Sequence, residues 1–269
     1  MRHFSLAYLS AHALTPPQVV DVAAQAGYSH VGLRLLPSTA GGASQPLMTD
    51  AALLRATQAR LRDTGVAVMD LEVLRIGADF DPQSCLPMFE TGAALQARAV
   101  LAIGEDTDEA RLAERFARLC ALAVPFGLSI DLEFLPWTTV PDARSALRVL
   151  QRAGMPANAG VLVDALHAAR SSTTLDDIAA LPRAHLHYAQ ICDAPLGGPF
   201  TLAELLHTAR LERLLPGEGG IDLRRLFAQL PDDLPVSVEI PHHTRVPQCG
   251  ELDWARQALQ ASMAVLAAP

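Results

Sequence analysis

The sequence has no lysine: all 21 of its basic residues are arginine. That absence removes a Schiff-base nucleophile, a lysine general base and the lysine of a phosphate-binding P-loop. Aromatic residues make up only 5% of the 269 positions, and the formal charge is −8 without any basic cluster. Neither a nucleic acid nor an anionic membrane is therefore expected as a partner, since both are held by concentrated positive charge. The four cysteines, Cys85, Cys120, Cys192 and Cys249, never approach a Cys-x-x-Cys spacing. This argues against a zinc knuckle or a redox pair and makes a reduced, cytoplasmic protein the expectation. No apolar run reaches the roughly 20 residues that span a bilayer. The stretch from Met1 to Ala13 imitates a secretory leader, but cleavage there would delete the only candidate for a first strand, and Ser5, Ser10 and His12 break its apolar run.

What the sequence does contain is a repeated unit. A short β-branched or apolar run ends in a polar residue, a Pro/Gly/Asp turn follows, and an Ala/Leu/Arg segment with helical spacing completes it. Eight strands are expected: Phe4–Tyr8, His30–Leu35, Ala67–Glu72, Ala99–Ile103, Ser129–Glu133, Gly160–Asp164, His185–Ile191 and Val236–Ile240. Helices are expected over Pro16–Ala26, Asp50–Arg62, Pro87–Gln96, Asp108–Val124, Pro141–Arg152, Leu175–Ala180, Leu223–Gln229 and Glu251–Ala267. In the fourth of these, Leu112, Phe116, Leu119 and Ala123 share one face. Gly27, Gly65, Gly127 and Gly154 fall just past helices, where left-handed caps belong. Eight units of about 34 residues fill the chain as one domain over 1–269, which selects a closed (β/α)₈ TIM barrel over an open sheet. The segment Cys192–Ile221 is too long for a simple loop and reads as an insertion after strand seven, helical at Leu202–Leu211 and acting as a lid.

Such barrels build their sites where strands end, so polar residues closing apolar runs carry the information. Glu133, Asp164, Gln190 and Glu239 close four consecutive strands. A lone strand-end acid commonly caps the helix that follows. Three carboxylates aimed at one axis repel one another unless a cation neutralises them. With the Gln190 carbonyl as fourth donor the set is all oxygen, which suits Mn²⁺ or Mg²⁺, with Co²⁺ as a further candidate. Arg34 interrupts the second strand and Glu72 ends the third, with Arg75 close behind. The two form either a buried ion pair or a substrate anchor. His187 lies three residues before Gln190 and so faces the other side of the strand as a packing residue. His242 and His243 follow Glu239 in the last loop, solvated or near substrate, and Trp137 is either a wall of the site or a packing residue of the lid.

A strand-end Glu133, the Asp164-Ala-Leu-His167 motif, a strand-seven ligand followed later by Pro216-Gly-Glu-Gly219, and a final strand-end Glu239 resemble the xylose isomerase-like TIM-barrel superfamily. Its members include ketose 3-epimerases, hydroxypyruvate isomerase, inosose dehydratase and bacterial 3-dehydroshikimate dehydratases. The resemblance implies metal ligation by Glu133, Asp164, Gln190 and Glu239, proton transfer by Glu133 and Glu239, and substrate contact by His167, Arg213, Arg34, Glu72 and Trp137. Gln190 stands where many epimerases have His, as in some 3-dehydroshikimate dehydratases. Arg213 matches the epimerase Arg three residues before the Pro, yet it follows Gln190 by 23 positions, so the insertion must bring it back over the site. Leu135 and Cys192 replace the His and Lys found in several dehydratases of the group.

The implied activity is isomerisation or epimerisation of a small keto-sugar or similar polyhydroxylated carbonyl compound, by proton abstraction next to the carbonyl through a metal-stabilised enediolate. A dehydratase of the 3-dehydroshikimate or inosose type needs the same ligands and is the alternative. A non-catalytic metal- or sugar-binding barrel is the remaining reading, and the family's frequent dimers make a homodimer an option.

Overall fold

A computed structural model describes residues 2–37 and 41–267. The expected domain span of 1–269 includes residues 1, 38–40 and 268–269, which lie outside the described residues. Eight parallel strands close into a barrel in sequence order. They are β1 (Phe4–Leu6), β2 (His30–Arg34), β3 (Ala67–Ile76), β4 (Ala99–Gly104), β5 (Ser129–Glu133), β6 (Ala159–Asp164), β7 (Ala189–Ile191) and β8 (Val236–Val238). The outer layer holds α1 (Pro16–Ala26), α2 (Ala51–Thr64), α3 (Leu86–Ala94), α4 (Glu109–Ala123) and α5 (Ala143–Arg152). The short helices α6 (Ala165–Ala169) and α7 (Leu175–Ala179) follow, then α8 (Leu202–Leu211) within the insertion, α9 (Leu223–Phe227), α10 (Arg245–Cys249) and α11 (Glu251–Ala267).

Local chemistry sets these boundaries. Thr15 and Gln18 exchange capping bonds at the start of α1, Pro16 occupies its first turn, and Gly27 closes it at φ 98°. Asp50 and Asp108 each accept two backbone N–H groups at the starts of α2 and α4. Leu112, Phe116, Leu119 and Ala123 of α4 are buried against the sheet. Each such side chain contributes about 1.5–3 kcal/mol when fully removed from water, except alanine, which contributes less.

The strands β1, β2, β7 and β8 are shorter than their sequence runs suggest, β4 and β6 gain one residue each, and β3 is the clearly longer one. Residues 183–185 form a single 3₁₀ turn, so β7 starts only at Ala189. By contrast β3 continues four residues past Glu72 to Ile76. Its pairing slips against β2 between Val31 and Gly32, and against β4 between Leu71 and Leu74. A bulge of this kind looks in sequence like the end of a strand, because it too places a polar residue inside an apolar run. The extension carries Arg75 up to the rim of the barrel.

The insertion is tied back at its base. Asp193 and Leu214 exchange backbone hydrogen bonds at 2.9 and 2.8 Å, and the Arg213 N–H donates to the Pro241 carbonyl at 2.9 Å. The Asp193 carboxylate also accepts from the N–H groups of Gly217 and Ile221. A Cβ at Gly219 would fall 2.2 Å from Asp193 Oδ1 and 2.4 Å from the Ala194 carbonyl. The Pro-Gly-Glu-Gly stretch is thus a latch whose second glycine permits close backbone approach.

Candidate metal centre

Register places the four strand-end residues side by side. Asp164 on β6 pairs with Gln190 on β7, and Glu133 on β5 lies beside Leu162 of β6. Glu239 continues the ladder from β8 by donating its N–H to the Ile191 carbonyl at 3.1 Å. All four are buried. Glu133, Asp164 and His167 each bring one ligand atom within 4.8 Å of the others, a group that could hold a metal ion. His167 Nε2 stands 3.7 Å from Glu133 Oε1, and its ring meets the edge of Trp137 at 5.2 Å.

Glu239 joins this group through Arg213, as the sequence had not suggested. The buried Arg213 guanidinium lies 2.6 Å from Asp164 Oδ2 and 2.8 Å from Glu239 Oε2, with its Nε donating to the Ala209 carbonyl. Arg213 therefore does return over the site, but it bridges two expected metal ligands. Asp164 also does what a strand-end acid does elsewhere: its Oδ1 accepts from the N–H groups of Leu166 and His167 at the start of α6.

The electrostatics follow from this packing. Burial, reinforced by Asp164 and Glu239, pushes the Glu133 carboxyl well above the usual range. Burial likewise raises Glu239 to about 8, against the pull of Arg213. Burial also opposes ionisation of Asp164, yet Arg213, His167 and the α6 N–H groups hold its carboxyl below the ordinary value. Burial lowers His167 to about 4, leaving a neutral imidazole at pH 7.

A divalent ion fits these residues. Fully ionised, Glu133, Asp164 and Glu239 carry three negative charges against one on Arg213, which leaves two for a cation to neutralise. Both side-chain polar atoms of Gln190 are buried without a hydrogen-bond partner, as is His167 Nδ1. Orphaned polar atoms of this kind cost about 1–3 kcal/mol each unless a ligand satisfies them.

A cavity of about 150 Å³ opens above these groups. It is lined by Arg34, Glu72, Glu133, Trp137, His167, Arg213 and Glu239, the expected set apart from the two deeper residues Asp164 and Gln190. Arg34 and Glu72 do form an ion pair, at 2.6 Å, with the guanidinium stacked 4.3 Å above Tyr8. Arg75 and Arg210 also line the opening, and Leu101, Ile103 and Leu135 form an apolar wall beside Trp137. Reading for strand ends could not find Arg210, which sits on α8. A larger cavity, about 910 Å³, lies where the strands begin, away from the carboxylates. Barrel chemistry belongs to the other end. His187 bonds Asp131 at 2.8 Å and His185 bonds the Ala159 carbonyl at 2.7 Å. His242 packs on Trp254, and His243 contacts the Leu211 carbonyl. None of these four histidines lines the small cavity.

A 3-dehydroshikimate dehydratase of Pseudomonas aeruginosa PAO1 is 32% identical over 127 residues. That match covers 47% of this chain and 19% of the dehydratase, so the chain spans only a fraction of that relative's length. Among solved structures, the IolI protein with a bound zinc atom superposes with a TM-score of 0.77 at 16% identity, over 98% of each chain. The D-allulose 3-epimerase of Methylomonas sp. in complex with D-allulose gives 0.72 at 16% identity, over 98% of this chain and 96% of the epimerase. A family model described as "Xylose isomerase-like TIM barrel" matches residues 20–267, and the chain belongs to that family.

Proposed function

We propose that the chain is a divalent-metal-dependent isomerase or epimerase that moves a proton next to the carbonyl of a small polyhydroxylated compound. The observation that carries this reading is the pair Glu133 and Glu239. Both are buried, both line one cavity, and both hold their protons more tightly than ordinary carboxylates. Two carboxylates that reach one cavity from different strands are what removal and return of a proton next to a carbonyl need. Glu133, Asp164, Gln190 and Glu239 would hold the ion, Mn²⁺ or Mg²⁺ on an all-oxygen set, and its charge when bound polarises a carbonyl.

The chain's own residues supply the rest. Glu133 takes a proton from one face of the substrate and Glu239 delivers one from the other. Neutral His167, fixed against Trp137, hydrogen-bonds a substrate oxygen. Arg213 keeps Asp164 ionised, and the Arg34–Glu72 pair presents a fixed donor at the rim. Leu101, Ile103, Leu135 and Trp137 exclude water from the opposite side. At about 150 Å³ the cavity is well below the roughly 300–1,000 Å³ of drug-sized sites, in keeping with a substrate of few carbons.

A second reading, dehydration, is favoured by Gln190 in the fourth ligand position and by the stretch that is 32% identical to a 3-dehydroshikimate dehydratase. It starts from the same abstraction and ends with loss of a β-hydroxyl as water. Glu133→Gln and Glu239→Gln test the shared step: each is expected to lose at least about 10³-fold in turnover, with unchanged circular dichroism. Full activity in either variant overturns the assignment.

A further inference from the structure

Four guanidinium groups line the small cavity, and three have partners. Asp164 and Glu239 hold Arg213, Glu72 holds Arg34 at 2.6 Å, and Glu105 holds Arg75 at 3.1 Å. Arg210 is different. It stands in the last turn of α8, three residues before Arg213, exposed at the opening. Among the described residues no carboxylate lies within ion-pair range of it. Partial burial, followed by Arg75 and Arg34 of its own sign, holds its pKa below the usual arginine value. Glu105 alone opposes them, and it is already committed to Arg75.

A guanidinium without a carboxylate partner at a concave opening keeps its charge available to an incoming anion. A second observation points the same way: Arg34 Nε is buried without an acceptor. A buried guanidinium donor without a partner is costly, and a ligand oxygen entering the cavity would satisfy it.

We propose that Arg210, backed by Arg34 and Arg75, binds an anionic group of the substrate, so that the compound turned over is a small hydroxy-carbonyl bearing a carboxylate or a phosphate. This rests on the cavity being the site of chemistry, as proposed above, and narrows its substrate class. It also gives the insertion a purpose. One segment delivers Arg213 to the carboxylates at the floor and Arg210 to the opening above them. The reacting carbonyl is drawn to the deep, acidic end, and the anionic group stays at the basic rim. Leu101, Ile103, Leu135 and Trp137 leave the other wall without polar groups, so a compound hydroxylated on every side is disfavoured.

Three compounds sharing a three-carbon hydroxy-ketone skeleton test the proposal by calorimetry: dihydroxyacetone, which is neutral, hydroxypyruvate, which carries a carboxylate, and dihydroxyacetone phosphate. Binding is measured with Mn²⁺-loaded and with chelated protein, at low and at high salt. At least one anionic compound is expected to bind about tenfold or more tighter than dihydroxyacetone at low salt. High salt should shrink that margin. Arg210→Gln should abolish it while neutral binding stays unchanged, and Arg210→Lys should restore part of it. The tighter of the two anions identifies the group recognised. Equal binding of all three, or a margin that survives Arg210→Gln, overturns the proposal. Chelated protein keeps the Arg210-dependent margin even if the metal reading fails, so the two can fail separately.

Discussion

Arg213 governs the electrostatics of the centre from a buried position between Asp164 and Glu239. Removing one partner of such a pair leaves the other charges uncompensated, so Arg213→Met is expected to cost about 3 kcal/mol or more in urea unfolding of chelated protein. Added Mn²⁺ should recover more stability in this variant than in the wild type, since the ion then supplies the positive charge between the carboxylates. Equal recovery in both proteins would contradict that account. Glu239 gives a pH signature. Its carboxyl is raised from 4.5 to about 8 by burial, so its contribution to stability is fully present below pH 4.5 and is lost as pH rises through about 8. The melting temperature of chelated protein should therefore fall between pH 6 and pH 9. Mn²⁺-saturated protein should hold its melting temperature over that range, because ligation requires the ionised form.

At the scale of elements, the insertion is the part that turns a barrel into a site. Its base is latched by Asp193, and Gly219 leaves no room for a side chain beside that carboxylate. Gly219→Ala should loosen the segment that carries Arg210 and Arg213 without unfolding the barrel. The expected result is faster hydrogen exchange around Leu214 and about a tenfold or greater loss of kcat/KM, with the melting temperature down by only about 2–4 °C. A variant with wild-type exchange at Leu214 would show that the latch does not hold the insertion.

The eight strands were legible because each βα unit announces itself by an apolar run, a polar stop and a capped helix. The match extends to α1, α8 and α11, whose expected bounds the structure reproduces. Glu133, Asp164, Gln190 and Glu239 were legible for the same reason, as polar stops. Glu72 was misplaced as a strand end, because a bulge and a terminus look alike in one dimension. The bridge from Asp164 through Arg213 to Glu239, and the position of Arg210 above it, depend on where a long insertion lands, which no local pattern encodes.

Across the whole molecule, one end of the barrel gathers the candidate site residues and the interior below it is also polar. Ser5, Asp70, Tyr188 and Ser237 are buried there without hydrogen-bond partners. Asp70 fills the space left by Gly32, the residue opposite it on β2, and burial followed by Glu72 raises its carboxyl well above the ordinary value. Such a core tolerates groups that an apolar barrel would exclude, and it places the strand-end carboxylates on a polar floor. Among the described residues no helix is long and apolar enough to cross a membrane.

The central claim is that Glu133 and Glu239 move a proton next to a carbonyl in a reaction that needs a divalent ion. Solvent exchange in D₂O tests it most directly, with candidate hydroxy-ketones and 3-dehydroshikimate presented to Mn²⁺-loaded and to chelated protein and followed by mass spectrometry. Loaded protein should introduce deuterium next to the carbonyl of one compound, or release water from it, and chelated protein should do neither until Mn²⁺ is restored. Exchange by chelated protein at the loaded rate would contradict the account.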